Sequence, residues 1–395
     1  MTTPIGPPVE VDQESLVNDQ RARTQHVPRP LSGYTVGVTA DRRSEEQIQL
    51  LEDRGATCVH GPMLETQALL ADSGIASATR LVIDNPPDVT ILSTGIGVRG
   101  WFSSADALLL GNELRLAVES SEIYARGPKA HGAAVTAGLN LDTCATWPSL
   151  DDIIDELQLR SDSGLRVAIQ LDGDPDAVAI SRLNELAAEV VPIPVYQWTL
   201  PTNRSPAEDL IAAVAAHQID AVTFTARPAV QHFVSIAQEL DLFGRVQAAA
   251  RTNTALLCVG ERTATAVEDA GLHVAGFPER PLLGTMVMLL TEQLEKRTTE
   301  LQLLGHSVVL RGRELSVGDE PVQTLPFRER HLFELLASRP GVVFAKDRLL
   351  DRVWQGAAHD EHAVEVAVGR LRKRLGDAGS GIETVRRRGY RMVAA

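Results

Sequence analysis

Residues 33–290 match themselves at an offset of about 132 residues, so the same unit must be folded twice. Asp88–Val98 (DVTILSTGIGV) aligns with Asp220–Val230 (DAVTFTARPAV), Gly127 with Gly260, Gly138-Leu139 with Gly271-Leu272, and Pro148 with Pro281. Gly33 and Val36 match Gly164 and Val167, and Pro62 matches Pro194. Within each copy, short apolar runs such as VTILST, EIYARG, LRVAIQL, AVTFTA and ALLCVG alternate with helical spacing. Apolar strands alternating with helices form parallel sheets covered on both faces. The chain therefore reads as α/β, with two parallel-sheet domains. Leu64–Leu70 and Tyr196–Pro201 are the crossovers between them.

Charge divides the chain differently. Residues 322–395 hold 14 basic and 9 acidic residues, and the rest holds 24 basic and 43 acidic. A local positive patch on an acidic protein draws phosphate to one place. No apolar run approaches a membrane span and no signal-peptide pattern is present, so the expected location is cytoplasmic, with no membrane partner. Cys58, Cys144 and Cys258 are far apart and read as reduced thiols, and the ten histidines lack ligand spacing, so neither metal nor cofactor is expected. Residues 1–31, with five prolines and no apolar periodicity, read as a disordered arm.

Open parallel sheets bind ligands beyond the carboxyl ends of their strands. Those ends carry Arg42, Arg43, Arg99, Arg126, Lys129, Arg227 and Arg262 in an otherwise acidic region, which suits a polyanion. The segments VGVTADRR, RGATCVHGPMLE, VPIPVYQW and VGERTATAVEDAGL, with the paired segments ending at Val98 and Val230, resemble uroporphyrinogen-III synthase from about Gly33 to Leu290. The resemblance implies a bilobal region over 32–292. Lobe one covers about 32–66 and 199–292, and lobe two about 67–198. It also implies a cofactor-independent cyclisation of a linear tetrapyrrole carrying eight carboxylates. Tyr196 and Thr263 match residues lining the family's cleft and are the candidate catalytic positions, and Thr94 joins the ligand-binding set. Ala130 stands where a threonine is usual, and Ala226 where a serine is usual, so ligand binding is retained in this reading more readily than turnover.

Residues 300–321 alternate as short antiparallel strands after a polar stretch, Thr291–Glu300, that reads as a helix end running into a tether. Helices follow at Arg328–Arg339, Asp347–Trp354 and Glu361–Leu375. In the last, Val364, Val368, Leu371 and Leu375 make one buried stripe. LPFRERHLFELLASRPGVVFAKDRLLDRVW, VEVAVGRLRKRL and TVRRRGYRM together resemble the OmpR/PhoB-type winged helix-turn-helix domain of response regulators, over about 300–395. The resemblance implies binding to double-stranded DNA. The third helix would bring His362, Glu365, Val366 and Arg370 to the major groove. Arg372 and Lys373 would bind phosphate, and Thr384, Arg386, Arg387 and Arg388 would serve the wing. Arg387 replaces a usual glycine, and the phosphorylatable receiver of that class is missing: VTILSTG ends its strand in Ser93 and Thr94 rather than in aspartate.

The leading reading is a transcriptional regulator whose synthase-like half senses a small anionic ligand, tetrapyrrole-related or a metabolite of nitrogen assimilation, acting on nitrate and nitrite assimilation genes. The alternatives are an active synthase with a DNA-binding tail and a regulator whose sensor half binds another protein. A homodimer on DNA and a partner regulator both remain open.

Overall fold

The structure, a computed structural model, describes residues 29–69, 73–140, 145–159, 164–173, 176–354 and 360–394. The arm expected over 1–31 lies outside the described residues as far as residue 28. Its last residues are ordered: Leu31 is fully buried, and its N–H donates to the Arg54 carbonyl at 2.8 Å.

In chain order, β1 (Thr35–Val38), α1 (Ser44–Glu52) and β2 (Thr57–His60) open the first lobe, and β3 (Glu65–Ala68) leaves it. The second lobe runs through α2 (Ser73–Asp84), β4 (Val89–Leu92), α3 (Gly95–Ala107), α4 (Gly111–Glu119), β5 (Glu122–Arg126) and α5 (Gly127–Thr136). It continues with β6 (Ala145–Trp147), α6 (Leu150–Leu159), β7 (Arg166–Leu171), α7 (Ala177–Leu186) and β8 (Glu189–Pro194). After β9 (Tyr196–Thr199), the first lobe is completed by α8 (Ser205–Ala215), β10 (Ala221–Phe224), α9 (Arg227–Glu239), α10 (Phe243–Thr252), β11 (Ala255–Cys258), α11 (Glu261–Asp269), β12 (Val274–Gly276) and α12 (Leu283–Glu295).

Lobe one is a sheet ordered β12-β11-β10-β1-β2, parallel from β12 to β1, and lobe two a parallel sheet ordered β6-β5-β4-β7-β8. The two orders are one topology written twice. β10 repeats β4, β11 repeats β5, and β1 repeats β7, as the sequence offset requires. Strands β1, β4, β10 and β11 are buried at every residue, which is why their sequences are continuous apolar runs rather than alternating ones. The lobes are joined by β3 and β9, an antiparallel ladder pairing Glu65 with Thr199 and Ala68 with Tyr196. Cys258 is buried at the end of β11, and burial pushes its thiol pKa to about 12, which makes it a packing residue. Among the described residues no helix is long and apolar enough to cross a membrane.

The C-terminal unit begins with an antiparallel sheet of β13 (Thr299–Leu303), β14 (His306–Arg311), β15 (Glu314–Val317) and β16 (Gln323–Thr324). The helix end expected over Thr291–Glu300 runs to Glu295, and the stretch that follows is short, entering β13 at Thr299. Helices α13 (Phe327–Ala337), α14 (Lys346–Trp354) and α15 (Glu361–Arg374) follow, then a hairpin of β17 (Ile382–Val385) and β18 (Gly389–Met392). Leu332, Phe333, Leu336, Leu349, Val364, Val368 and Leu371 share one core with strand residues Leu303, Val308 and Leu310.

This unit also includes Leu31–Tyr34, far away in sequence. The Gly33 carbonyl accepts from the Arg313 N–H at 2.8 Å, and the Tyr34 hydroxyl donates to the Leu294 carbonyl at 2.7 Å. Gly33 and Gly312 both have left-handed backbone, and a Cβ on either would collide with the backbone of the other segment. Gly312→Ala is therefore expected to destabilise this unit by about 2 kcal/mol, one left-handed penalty plus the loss of close approach. Hydrogen exchange of the β14 and β15 amides, compared with the wild type, measures it.

Candidate functional sites

The ends of the strands in the bilobal unit carry the expected residues, and the structure sorts them into groups. Thr94 follows β4 and caps α3, its Oγ1 accepting from the Gly97 N–H at 3.0 Å. Tyr196, 6% exposed, packs beside Gly173, with Thr94 near its hydroxyl. Burial and then the Asp172 carboxylate push its pKa above the ordinary tyrosine range, and Arg42 pulls weakly the other way. Tyr196 is thus a neutral hydroxyl at neutral pH. Arg126, at the end of β5, donates from Nε to the Ser93 carbonyl and from a terminal nitrogen to Asp172, both at 2.9 Å. Thr94, Arg126, Tyr196 and Asp172 form one centre, with Arg42 near enough to act on the Tyr196 hydroxyl.

Two buried side chains add to it. Neither amide atom of Gln170 nor the Ser93 hydroxyl has a hydrogen-bond partner among the described residues. Both residues line a small cavity with Arg126 and Asp172. A buried amide left unpaired costs about 1–3 kcal/mol, so Gln170 and Ser93 hold hydrogen-bonding capacity that the protein itself does not use.

Arg227 and Arg262 instead stand at the start of a groove of about 610 Å³ between α9 and α11, where Arg262 pairs with Asp176 at 3.3 Å. Arg43 is turned to Glu46, at 2.6 Å, and Lys129 lies close enough to lower the Glu46 pKa further after Arg43 has done so. Arg99 lies beside Gly95 at the start of α3. Thr263 is buried in α11. The sequence reading missed Asp172 and Asp176. They follow β7 in LDGDPDAV, at the strand end where the arginines were sought.

The C-terminal unit presents a second site. On α15 the exposed residues are Glu361, His362, Glu365, Val366, Gly369, Arg370 and Lys373, one stripe opposite Val364, Val368 and Leu371. Asp360 caps the helix, and Arg372, Lys373 and Arg374 stand in its last turn, where the dipole favours cations. Glu365 is held by Lys346 at 2.5 Å, which with His362 lowers its pKa. Among the described residues Arg370, Lys373, Arg386, Arg387 and Arg388 make no ion pair.

Arg372 departs from the expected phosphate role. Its guanidinium donates to the Ile382 carbonyl and the Thr384 hydroxyl and lies over the Tyr390 ring, so it braces the wing against α15 and engages Thr384. Gly389 has left-handed backbone, because β18 pairs directly with Phe344 and a Cβ would strike the Phe344 carbonyl. Arg387, at the wing tip, also has φ 58°. Arg387→Gly is expected to stabilise the unit by about 1 kcal/mol while weakening DNA binding through the lost charge. Melting and DNA titration of the same variant test both signs.

The profile of the family described as "Uroporphyrinogen-III synthase HemD" matches residues 45–288, and that of "Transcriptional regulatory protein, C terminal" matches residues 320–392. The chain is 26% identical over 267 residues to the uncharacterized protein YjjA of Bacillus subtilis, covering 68% of this chain and 98% of that protein. It is 42% identical over 84 residues to the transcriptional regulatory protein CseB of Streptomyces coelicolor, covering 21% of this chain and 35% of that regulator. A crystal structure of a mutant uroporphyrinogen III synthase from the thermophilic bacterium Thermus thermophilus superimposes with a TM-score of 0.53 at 25% identity, covering 67% of this chain and 99% of that enzyme.

Proposed function

The chain belongs to the uroporphyrinogen-III synthase HemD family and carries a transcriptional-regulator DNA-binding domain at its C-terminal end, and on that premise we propose that it is a regulator whose synthase-like half binds a small polycarboxylate that alters its DNA affinity. The observation that carries this reading is the row of cations on the α15 face and the wing, Arg370, Lys373 and Arg386–Arg388, without ion pairs among the described residues, in a chain of net charge −14. Such cations neutralise phosphates and release counterions. In the other half, Arg42, Tyr196 and the unpaired Gln170 and Ser93 supply donors for an anionic ligand. Ligands of tetrapyrrole type carry suitable carboxylates. Nitrite reductase uses a tetrapyrrole cofactor, which makes nitrate and nitrite assimilation genes the first targets to examine.

Sensing is favoured over turnover by one contrast between the copies. Thr94 caps α3 with its side chain, whereas Ala226, at the duplicated position, caps α9 with none. Coupled binding is reciprocal, so DNA must change ligand affinity by the factor by which ligand changes DNA affinity, typically about 1–3 kcal/mol. Calorimetry with linear and cyclic tetrapyrroles, with and without operator DNA, measures both. Arg227→Glu and Arg262→Glu are expected to abolish the ligand response and spare basal DNA binding. If both variants respond normally, the sensor reading fails. The alternative, an active synthase, rests on the Tyr196 and Thr263 matches, and cyclisation of hydroxymethylbilane by the purified chain decides it.

A further inference from the structure

We infer that Asp176 is a built-in competitor of the ligand. Its carboxylate occupies on Arg262 the position that an anionic ligand group takes, and the exchange releases one lobe from the other. The inference rests on the reading that the region between the lobes binds a small anion.

Asp176 precedes α7 in lobe two. One of its oxygens accepts from the Val178 and Ala179 N–H groups at 3.1 and 3.2 Å, which caps the helix. The other lies 3.3 Å from Arg262, on α11 of lobe one. Arg227 opens α9, and Arg262 stands in the first turn of α11, so two helix N-termini add their dipoles at this end of the groove. The structure thus holds a carboxylate where two helix starts and two guanidinium groups converge.

The duplication supplies an independent second case with the lobes exchanged. Helix α1 of lobe one repeats α7, and α5 of lobe two repeats α11. Glu46 lies in the first turn of α1, and Lys129 of α5 is near enough to help keep its carboxylate ionised. An acid near the start of the helix after the first strand thus lies near a base of the other lobe in both copies, but only Asp176 and Arg262 are in contact, because Glu46 pairs with Arg43, just before its own helix. Arg262 is 62% exposed and Asp176 31% exposed. Exposed pairs stabilise weakly, so a ligand can displace this one. Engaging both Arg262 and Arg227, which line one groove, takes at least two anionic groups. The ligand class is a di- or polycarboxylate, and a monoanion engages only one of the two arginines.

The experiment uses the full chain with Asp176→Asn. Asparagine caps a helix as well as aspartate does, so the start of α7 is kept while the charge is lost. Citrate is the probe, titrated by calorimetry, and donor and acceptor dyes, one per lobe, report the distance between the lobes without ligand. Citrate is expected to bind the variant about two- to fivefold tighter than the wild type. The ligand-free distance distribution should broaden, and Arg262→Gln should broaden it equally. Unchanged distances with unchanged citrate affinity overturn the inference, and citrate binding by the wild type then leaves the anion reading standing. Broadened distances in proteins that bind no citrate support the release of the lobes and overturn the anion reading instead.

Discussion

Arg370→Ala is expected to cost about 1–3 kcal/mol of discrimination at one base pair of the operator, with a smaller loss on random duplex. Lys373→Ala, three residues further along the same exposed stripe, is expected to weaken all duplexes about equally and to lower the salt slope by about one. Both side chains are exposed on α15 and make no ion pair among the described residues, so neither change disturbs the core. Position along the helix separates them. Arg370 lies mid-helix next to Val366, and Lys373 lies in the last turn beside the wing. Titrations on specific and random duplexes at several salt concentrations read both quantities. Equal loss of specificity from the two variants sinks the assignment.

Arg374→Met is the second large effect, and it acts on stability. Arg374 donates to Glu329 at 2.7 Å, and Glu329 is 5% exposed in α13. Removing the arginine leaves a buried carboxylate without its partner, which costs about 3 kcal/mol. Glu329→Gln strands a smaller burden, because Arg374 is one-third exposed and keeps its water. Loss of stability in Arg374→Met should therefore exceed that in Glu329→Gln, by denaturant melting of the full chain. The reverse order excludes the buried carboxylate as the dominant cost. Arg374 stands in a basic run with Arg372 and Lys373, yet only Lys373 faces outward. The other two hold α15 to α13 and to the wing.

That run shows where sequence is legible and where it stops. The periodicity of Val364, Val368 and Leu371 assigns the buried face of α15 without ambiguity. The apolar strands VTILST and AVTFTA, repeated at one offset, likewise imply parallel sheets folded twice. Those signals are local, because burial imposes a period on each element. Pairing between charges is not local. Arg126 is neutralised by Asp172, 46 residues on, and Arg262 by Asp176, 86 residues back, so an arginine at a strand end cannot be read as free from its own neighbours. The same limit hid the brace from Arg372 to the wing. The sequence marked the strand ends as basic within an acidic region, and only the fold revealed which acids pair with them.

The packing of Leu31–Tyr34 beside Arg313 and Leu294 has a consequence for the order of events on the ribosome. Tyr34 and the Leu294 carbonyl it binds are 260 residues apart in a chain made from the N-terminus onward. Gly33 and Tyr34 therefore emerge early and lack these partners until Leu294 and Arg313 have left the exit tunnel. Closing so long a loop is slow. The C-terminal unit thus draws part of its packing from the first residues described, so a fragment that starts after Tyr34 lacks those contacts.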